Sequence, residues 1–388
     1  MQPLSTRATS VPRSPIRRMF DLASQVDNPI RLELGEPDFP TPEHIMQAAA
    51  EAMRRGATHY TPTAGTMALR EAIAEKLLRE NGIVVDPASQ VIATVGAVSA
   101  LALSIQVLVQ EAGEVLIPDP GWPNYVSHVI WAGGTPVYVP LPADNGFHLN
   151  REIVARYITP RTRALIINSP GNPTGAVFTQ EEIEGIAALC VERDIMLISD
   201  EVYEKILFDG RTHYSPASNP DFRDHVITIN SFSKTYAMTG WRLGYAAGPA
   251  PVISAMTLLQ EISVSCPNAA AQEAGRVALR GPQDAVEDMV RQYTSRRRLL
   301  VDGLNQIPGL SCRAPEGSFY AFVNISRFGR AAQVAERLIR EARIVTVPGT
   351  GFGPSGEGHV RLSFATSEEN LREALRRLAS WVKAQKKD

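Results

Sequence analysis

Four polar side chains lie where three short apolar runs of the sequence end. Asn172 follows "RALIINSPG", Asp200 closes "IMLISD", and Ser231 and Lys234 follow "VITIN". A lysine supplies a primary amine on a long stem, and burial or a neighbouring cation can lower its pKa, so it suits nucleophilic attack on a carbonyl. Taken singly, these residues have ordinary explanations, such as a turn former, a helix N-cap or a solvated loop lysine.

The apolar runs predict strands of a mostly parallel sheet, because they are short and alternate with segments of helical periodicity. The runs are "QVIATV", "EVLIP", "RALIIN", "IMLISD" and "HVITIN", and helices are predicted from His44, Met67 and Val98. In open α/β sheets, ligands bind at the carboxyl ends of the strands. We therefore expect the four polar side chains to meet at one ligand site.

The pattern changes near residue 284, where a long helix precedes the strand candidates "GSFYAFVNIS" and "HVRLSFA" and a closing helix. This arrangement predicts a smaller α+β domain beside the α/β domain. We expect an N-terminal arm and the first part of the small domain in residues 1–45, the large domain in residues 46–290, and the small C-terminal domain in residues 291–388.

The composition favours a small-molecule ligand over nucleic acid or a membrane. The 388 residues include 39 Lys and Arg against 41 Asp and Glu, so a formal net charge of −2 offers no broad attraction to anionic surfaces. No run approaches the ~20 consecutive apolar residues of a membrane span. Cys190, Cys266 and Cys312 form no CxxC pair, which favours a reducing, cytoplasmic setting over a disulfide framework.

Two short motifs suggest other chemistry but lack the context that it needs. "GFGPSG", residues 351–356, matches the dinucleotide pattern GxGxxG, but a strand rather than a helix follows, so we interpret it as a flexible turn. "SFSK", residues 231–234, matches the SxxK signature of serine acyl-transfer enzymes, a weak alternative without SDN and KTG elements. The seven histidines show no HExxH and no paired spacing, so no metal site is expected.

Seven ordered blocks of the sequence resemble the class I pyridoxal-phosphate aminotransferases of fold type I, in their bacterial aspartate aminotransferase-like branch. The blocks span nearly the whole chain and read "GEPDFPTP", "HYTPTAGTMALREAI", "NSPGNPTGAVF", "ISDEVYE", "SFSKTYAMTGWRLGY", "PEGSFYAF" and "VRLSFATSEENL". The resemblance implies a large cofactor-binding domain with a mostly parallel sheet covered by helices, plus a smaller α+β domain. It also implies a transaminase that moves an amino group from an L-amino acid to a 2-oxo acid.

The resemblance assigns catalytic roles to three residues. Lys234 matches the lysine that holds pyridoxal 5'-phosphate as a Schiff base and then carries the proton of the substrate α-carbon. Asp200 matches the carboxylate that keeps the pyridine nitrogen protonated, so that the ring acts as an electron sink. Tyr203 and Asn172 resemble the pair that hydrogen-bonds the phenolic oxygen of the cofactor.

The cofactor phosphate needs cations and directed N–H donors, and matching positions supply both. Arg242 matches the phosphate arginine of the family. Tyr60 resembles a tyrosine that reaches a phosphate across a dimer interface, which implies a homodimer with shared active sites. The other expected phosphate contacts are the hydroxyl groups of Ser231 and Ser233 and the N–H groups of Gly96, Ala97 and Val98.

The expected substrate site combines an aromatic ring and a guanidinium. Trp122 matches the aromatic residue that stacks on the cofactor ring. Arg361 alternates with the apolar residues of "HVRLSFA", so its side chain faces away from them, and it matches the arginine that holds the substrate α-carboxylate. The expected substrate-binding residues are Gly35, Trp122, Asn172 and Arg361.

One position departs from acid-selective relatives, in which the turn after "TVG" carries a lysine that helps to recognise a second carboxylate. Here that position is Val98, so neutral, aromatic and unusual amino acids are open as substrates, and an acidic one would need another cation. A lyase, elimination or cyclisation enzyme is an alternative, because it uses the same lysine. A non-catalytic regulator is a remoter alternative, since such proteins carry a DNA-binding extension and only about thirty residues precede "GEPDF".

Overall fold

The computed structural model of the protein describes residues 5, 9–13 and 15–385, so residues 386 and 387 of the predicted closing helix lie outside the described residues. The strands are β1 Ile30–Arg31, β2 Val91–Thr94, β3 Glu114–Asp119, β4 Thr135–Pro140, β5 Thr162–Asn168, β6 Met196–Asp200, β7 Val226–Ser231, β8 Gly244–Ala247, β9 Ser311–Cys312, β10 Tyr320–Asn324, β11 Ile344–Val345, β12 Val347–Pro348 and β13 His359–Ser363. The α-helices are α1 Pro15–Ala23, α2 Glu43–Arg54, α3 Met67–Asn81, α4 Gly96–Leu108, α5 Asn124–Trp131, α6 Arg151–Ala155, α7 Gln180–Glu192, α8 Phe232–Thr235, α9 Ala250–Val264, α10 Ala269–Arg280, α11 Asp284–Asn305, α12 Ala331–Ala342 and α13 Glu368–Ala384.

Seven strands form the large sheet, in the order β2-β8-β7-β6-β5-β3-β4. β8 runs antiparallel to both of its neighbours, and the other strands share one direction. Helices cover both faces of the central strands, which explains why β6 is almost entirely buried and reads as a continuous apolar run. The predicted α/β architecture is confirmed, and the sheet contains two strands, β4 and β8, that the apolar runs do not mark.

Helix α3 is capped at both ends, whereas α4 begins without a side-chain cap. α3 begins after Thr66, whose hydroxyl oxygen accepts a hydrogen bond from Leu69 N, and it ends at Gly82 with φ +69°. α4 begins at Gly96, two residues after β2 ends, so its N-terminus lies at the carboxyl end of that strand. Within the described part of the chain, no helix has both the length and the apolar character that crossing a membrane requires.

The second part of the molecule contains an antiparallel sheet in the order β12-β13-β10-β9. Strand β13 is central, and Arg361 on it pairs with Phe322 on one side and Val347 on the other. β1 pairs in parallel with β11, so the segment before the large sheet returns to this smaller part. A smaller α+β unit therefore lies beside the α/β unit, as the sequence predicts.

Candidate active site

A cavity of about 250 Å³ lies at the carboxyl end of the large sheet, between that sheet and the smaller one. Twelve of the expected site residues line it: Gly35, Ala97, Val98, Trp122, Asn172, Asp200, Tyr203, Ser231, Ser233, Lys234, Arg242 and Arg361. Six further residues line it as well: Ile16, Tyr125, Asn168, Val202, Thr239 and Tyr320. The cavity forms there because β5, β6 and β7 are neighbours, so the polar residues at their ends come together.

Two expected residues lie outside this lining. Gly96 begins α4 and lies against the Arg242 guanidinium, because a Cβ atom at Gly96 would be 2.4 Å from Arg242 Nη2. Tyr60 lies on the surface, with 88% of its area exposed, in a separate depression that includes His59 and Thr61. A single chain therefore does not bring Tyr60 into its own cavity.

Lys234 belongs to the short helix α8, which directly follows β7, so the end of the strand fixes its position. Its Nζ atom donates a hydrogen bond of 2.5 Å to Gly35 O. Burial lowers the pKa of Lys234 to about 8, and Arg361 and Arg242 act in the same direction, against Glu36. The neutral, nucleophilic amine is therefore more populated at neutral pH than it is in an exposed lysine.

Asp200 is a buried carboxylate at the end of β6. Its Oδ2 atom accepts a hydrogen bond of 2.6 Å from Tyr125 Oη, and its backbone oxygen accepts one of 3.0 Å from Asn168 Nδ2. Burial raises the pKa of Asp200 to about 6, although the hydrogen bond from Tyr125 opposes this shift. No described residue forms an ion pair with this carboxylate, so it suits a cationic group of a ligand.

Tyr203 and Tyr320 share a hydrogen bond, with their Oη atoms 2.9 Å apart. Burial raises the pKa of Tyr203 well above its ordinary value, so its hydroxyl stays protonated. Tyr320 begins β10, and its hydrogen bond to Tyr203 therefore joins the smaller sheet to the larger part. The position of the Tyr320 hydroxyl also explains the glycine at position 35, because a Cβ atom on Gly35 would be 2.3 Å from Tyr320 Oη.

A corner rich in N–H and hydroxyl groups lies between the N-terminus of α4 and Arg242. Arg242 Nη1 donates a hydrogen bond of 2.9 Å to Thr239 O, and this side chain forms no ion pair with any described residue. Ser231 Oγ accepts a hydrogen bond of 3.1 Å from Ser233 N and donates one of 3.3 Å to Leu243 O. A free guanidinium beside a helix N-terminus and two hydroxyl groups suits a phosphate.

Arg361 is buried, with 1% of its area exposed, but it lacks a carboxylate partner within the described residues. Its Nη1 atom donates a hydrogen bond of 2.9 Å to Asn172 Oδ1, and its Nη2 atom donates one of 2.6 Å to Glu33 O. Its Nε atom has no hydrogen-bond partner among them. The rings of Tyr320 and Phe352 lie 4.3 and 4.9 Å from its Cζ atom. Such a guanidinium suits a carboxylate ligand.

Local sequence patterns mark only some of the six additional lining residues. Tyr125 and Tyr320 lie inside "DPGWPNY" and "PEGSFYAF", so a hydroxyl-bearing ring within a motif is the signal that the sequence offers. Asn168 ends a predicted strand, and its Oδ1 atom accepts a hydrogen bond of 2.8 Å from Asn172 N. Ile16 lies on α1, far from every motif, and only the tertiary fold brings it to the cavity.

One cluster away from the cavity has the residue types of a metal site. Glu201, Glu204 and His213 place ligand atoms within 4.8 Å of one another. The Lys76 ammonium donates hydrogen bonds to Glu204 and, at 2.7 Å, to Asn81 Oδ1, while His213 Nε2 lies 2.9 Å from Glu201 Oε2. Lys76 already supplies the positive charge that these carboxylates need, so we interpret the cluster as a structural charge network.

Comparison with known proteins agrees with this geometry. The family model for aminotransferase class I and II matches residues 27–378. An aromatic-amino-acid aminotransferase of Thermococcus litoralis is 46% identical over 386 residues, and an aspartate aminotransferase of Pyrococcus abyssi is 44% identical over the same length; each match covers 99% of both chains. The solved structure of aspartate aminotransferase from Thermus thermophilus with maleate has a TM-score of 0.93 and 43% identity, covering 98% of this chain and 100% of that one.

The chain belongs to the aminotransferase class I and II family, and its fold is fold type I. It is a pyridoxal-phosphate-dependent aminotransferase, which exchanges an amino group between an amino acid and a 2-oxo acid. The cavity fits this cofactor on chemical grounds. It offers the Arg242 guanidinium at a helix N-terminus for a phosphate and the Asp200 carboxylate for a ring nitrogen, and neither group forms an ion pair with a described residue.

Proposed function

We propose that Lys234 binds pyridoxal phosphate covalently and then moves the substrate proton. The observation that carries this proposal is an amine of lowered pKa, about 8, in one cavity with Asp200 and Arg361. A neutral amine attacks a carbonyl, and the same amine, once released, accepts a proton from the substrate α-carbon and returns it at another carbon. The bound cofactor supplies the electron sink that stabilises the carbanion.

We propose that the other groups on the large-sheet side hold the cofactor in position beside the Lys234 amine. We assign the ring nitrogen to Asp200, because no described residue forms an ion pair with this buried carboxylate. Tyr203 and Asn172 are the proposed partners of the phenolic oxygen, and Trp122 is the proposed stacking residue. The phosphate contacts are assigned to Arg242, Ser231, Ser233 and the N–H groups of Gly96, Ala97 and Val98.

On the small-sheet side, we assign the substrate α-carboxylate to Arg361. This role is supported because, among the described residues, its Nε atom has no hydrogen-bond partner and its guanidinium has no carboxylate partner. Asn172 orients the guanidinium through the 2.9 Å hydrogen bond to its Oδ1 atom. Gly35 is the proposed backbone position beside the substrate, and its carbonyl oxygen accepts a hydrogen bond from Lys234 Nζ.

The lining of the cavity favours an apolar or aromatic amino acid over an acidic one. Ile16, Val98 and Trp122 present apolar surface to it. The cations among its described lining residues are Lys234, Arg242 and Arg361, and each has a proposed role already. A second carboxylate would therefore be desolvated without a partner. Relatives are named for aromatic amino acids and for aspartate, so their names do not decide the matter.

The test is the absorbance of the purified holoenzyme with a panel of amino acids and no 2-oxo acid. We expect the cofactor band to convert to that of pyridoxamine phosphate, with one 2-oxo acid released per site. Phenylalanine should react with a specificity constant at least about tenfold above that of aspartate, since burial of an unpaired charge costs more than about 1.4 kcal/mol. Release of ammonia or a cyclic product would favour the lyase or cyclisation alternative, and acylation of Ser231 would favour acyl transfer.

We also propose a homodimer with shared active sites. Tyr60 and the α9 residues Leu258 and Ile262 expose 88%, 62% and 78% of their areas, and Leu258 and Ile262 lie four residues apart on one helix face. Thr61 N lies 3.5 Å from Cys266 Sγ, so the Tyr60 segment adjoins the end of α9. A second copy of this chain covering these side chains would bring Tyr60 to the partner's phosphate corner.

Complementation tests the shared site. We expect Tyr60→Ala and Lys234→Ala chains to be separately impaired, and co-refolded mixtures to regain activity. The reason is that a mixed dimer contains one site with an intact Lys234 from one protomer and an intact Tyr60 from its partner. A mixture no more active than the sum of its components would contradict the shared site.

Two coarser assignments complete the proposal. We place the large cofactor-binding domain at residues 46–290, with residues 1–45 as the arm and first part of the small domain and residues 291–388 as its remainder; both boundaries fall within helices, α2 and α11. A cytoplasmic location is supported by three free cysteines, which are typical of a reducing compartment. Limited proteolysis and cell fractionation test these two assignments.

A further inference from the structure

Asp119, at the end of β3, is a buried carboxylate that no step above uses. It is 2% exposed and forms no ion pair with any described residue. Both of its carboxylate oxygens accept hydrogen bonds of 3.1 Å from Ser355 N, and Oδ2 accepts a further one of 2.7 Å from Ser355 Oγ. A carboxylate of the large part is thus hydrogen-bonded to the "GFGPSG" turn of the smaller part.

This turn is shaped around the carboxylate. Gly353 has φ +129°, and a Cβ atom there would be 2.1 Å from Asp119 Oδ1. A side chain would therefore be strained by its backbone conformation and would also displace the carboxylate. The glycine pattern that resembles a dinucleotide motif instead lets the turn close on Asp119.

A second contact joins the same two segments. Gly121 N donates a hydrogen bond of 2.8 Å to Phe352 O. Gly121 immediately precedes Trp122, so the turn that carries the proposed stacking residue is tied to the smaller part at residues 119 and 121. Because hydrogen bonds to the smaller part are made at both Asp119 and Gly121, the turn can neither shift nor rotate freely.

The tied segment also supports Arg361. Strand β12 pairs with β13, with Val347 opposite Arg361, and the chain continues from β12 directly into residues 349–356. Within that stretch, the Phe352 ring lies 4.9 Å from Arg361 Cζ. A shift of the turn would therefore move one wall of the guanidinium site.

We propose that Asp119 and Ser355 form an interdomain clasp. It fixes the position of Arg361 relative to the turn that carries Trp122, and so positions the substrate carboxylate over the cofactor site. The proposal rests on the assignment of that carboxylate to Arg361. Neither Asp119 nor Ser355 lines the cavity, so both are positioning residues. The clasp affects substrate binding and leaves the phosphate corner intact, because that corner is built within the large part.

The test compares Asp119→Ala, Asp119→Asn and Ser355→Ala holoenzymes with the best amino donor from the amino-acid panel. Asp119→Ala should raise KM about tenfold, with kcat and cofactor affinity each within about twofold, because charge-assisted hydrogen bonds are lost away from the reacting atoms while Lys234 and the phosphate corner still hold the cofactor. Asp119→Asn should recover most of this loss, since its Oδ1 atom still accepts from Ser355 N and its amide donates to Ser355 Oγ. Ser355→Ala should raise KM about threefold, since it removes one of these bonds.

Ser326→Ala is the matched control, because among the described residues Ser326 Oγ hydrogen-bonds only to Asn324 Oδ1, two residues away, at 2.8 Å, and KM should not change. An unchanged KM in Ser355→Ala and Asp119→Ala would overturn the clasp. Equal losses in kcat and cofactor affinity, or no recovery in Asp119→Asn, would show a general packing role and also overturn it. Should Asp119→Ala fail to fold, the KM of Ser355→Ala decides whether the clasp exists. Arg361→Lys separates the two proposals, because an unchanged KM in that variant contradicts the carboxylate assignment itself.

Discussion

The two sides of the cavity are built differently. On the large-sheet side, Asp200, Ser231 and Lys234 lie at the ends of adjacent strands, so local sequence and sheet topology place them together. On the small-sheet side, Arg361 depends on partners from distant segments, Glu33 and Asn172 among them. The cofactor side therefore follows from short motifs, whereas the substrate side depends on how the two parts pack.

This difference separates the side of the cavity proposed to perform the chemistry from the side proposed to bind the substrate. A rigid strand end can hold the proposed catalytic amine of Lys234 within the narrow tolerance that proton transfer requires. A wall made of α1 and β10, with the 349–356 turn packed against Arg361 behind it, can change shape through packing without disturbing that amine. Variants on the first side should lower turnover, and variants on the second should mainly change substrate binding.

The largest expected effect comes from removing the Lys234 amine on the large-sheet side of the cavity. Lys234→Ala should lower kcat on the order of 10⁴-fold or more, because it removes both the nucleophile and the group that moves the proton. It should also abolish the lysine-linked cofactor band. Steady-state kinetics and absorbance check both, with Lys205→Ala as control because that lysine pairs with Glu80 outside the cavity. Retention of the band in Lys234→Ala would assign the cofactor to another amine.

The next largest effect comes from the substrate side. Arg361→Lys should lower kcat/KM about 100-fold, mostly through KM, because lysine keeps the charge but cannot hold a carboxylate with two parallel hydrogen bonds. The cofactor band and cofactor affinity should not change. Arg280→Lys, a surface arginine paired with Glu75, is the matched control. A loss confined to kcat would show that the two sides are not separable in this way.

A smaller effect sharpens the role of Asp200 on the cofactor side. The pKa of this carboxylate is about 6, so pairing with a cationic ring nitrogen is possible above that pH and is lost as pH falls through it. Tyr125→Phe removes the hydrogen bond that favours the ionised form, so the pH below which cofactor affinity falls should move up by about one unit. Titrations of cofactor binding from about pH 5 to 8 measure this, with Tyr157→Phe as control because Tyr157 follows helix α6 and does not line the cavity. An unmoved profile would show that Tyr125 only packs.

The smallest expected effect concerns a contact between the two parts that lies outside the cavity. His148 Nδ1 lies 2.9 Å from Glu182 Oε2, and its Nε2 lies 3.1 Å from Glu316 Oε2. The hydrogen bonds to these carboxylates raise the pKa of His148 to about 9, so its contribution to stability is full below pH ~6.5 and is lost as pH rises through about 9.

His148→Gln should therefore destabilise the protein by about 2 kcal/mol near pH ~6 and by much less near pH ~9.5. Urea unfolding of both proteins at the two pH values measures the difference. A penalty that stays constant with pH would mean that His148 acts through packing rather than through its charge. Catalysis at neutral pH should be unaffected, because these residues do not line the cavity.

The sequence predicts more of the cofactor side than of the substrate side, for physical reasons. Strand ends and the residues that follow them are local patterns, so Asp200, Ser231 and Lys234 can be grouped from the sequence alone. The same applies to the architecture, because apolar runs and helical periodicity depend on near neighbours. Strand β8 escapes this signal, since its four residues "GYAA" are only weakly apolar.

Contacts between distant segments produce no local pattern in the sequence. Nothing near Ile16 in the sequence indicates that it lines a cavity, and nothing near Asp119 indicates that Ser355 covers it. The sequence alone favours a flexible turn for "GFGPSG", because its glycines have no visible partner there. The structure provides the partner, a carboxylate 236 residues before Ser355 in the chain.

The most direct measurement is the location of the cofactor-bearing lysine. The holoenzyme would be treated with sodium borohydride, which makes the bond between lysine and cofactor permanent, then digested and mapped by peptide mass spectrometry. We expect the pyridoxyl group on the peptide that contains Lys234, and no modification in Lys234→Ala. Modification of a different lysine, or of none after saturation with pyridoxal phosphate, would contradict the proposed active site.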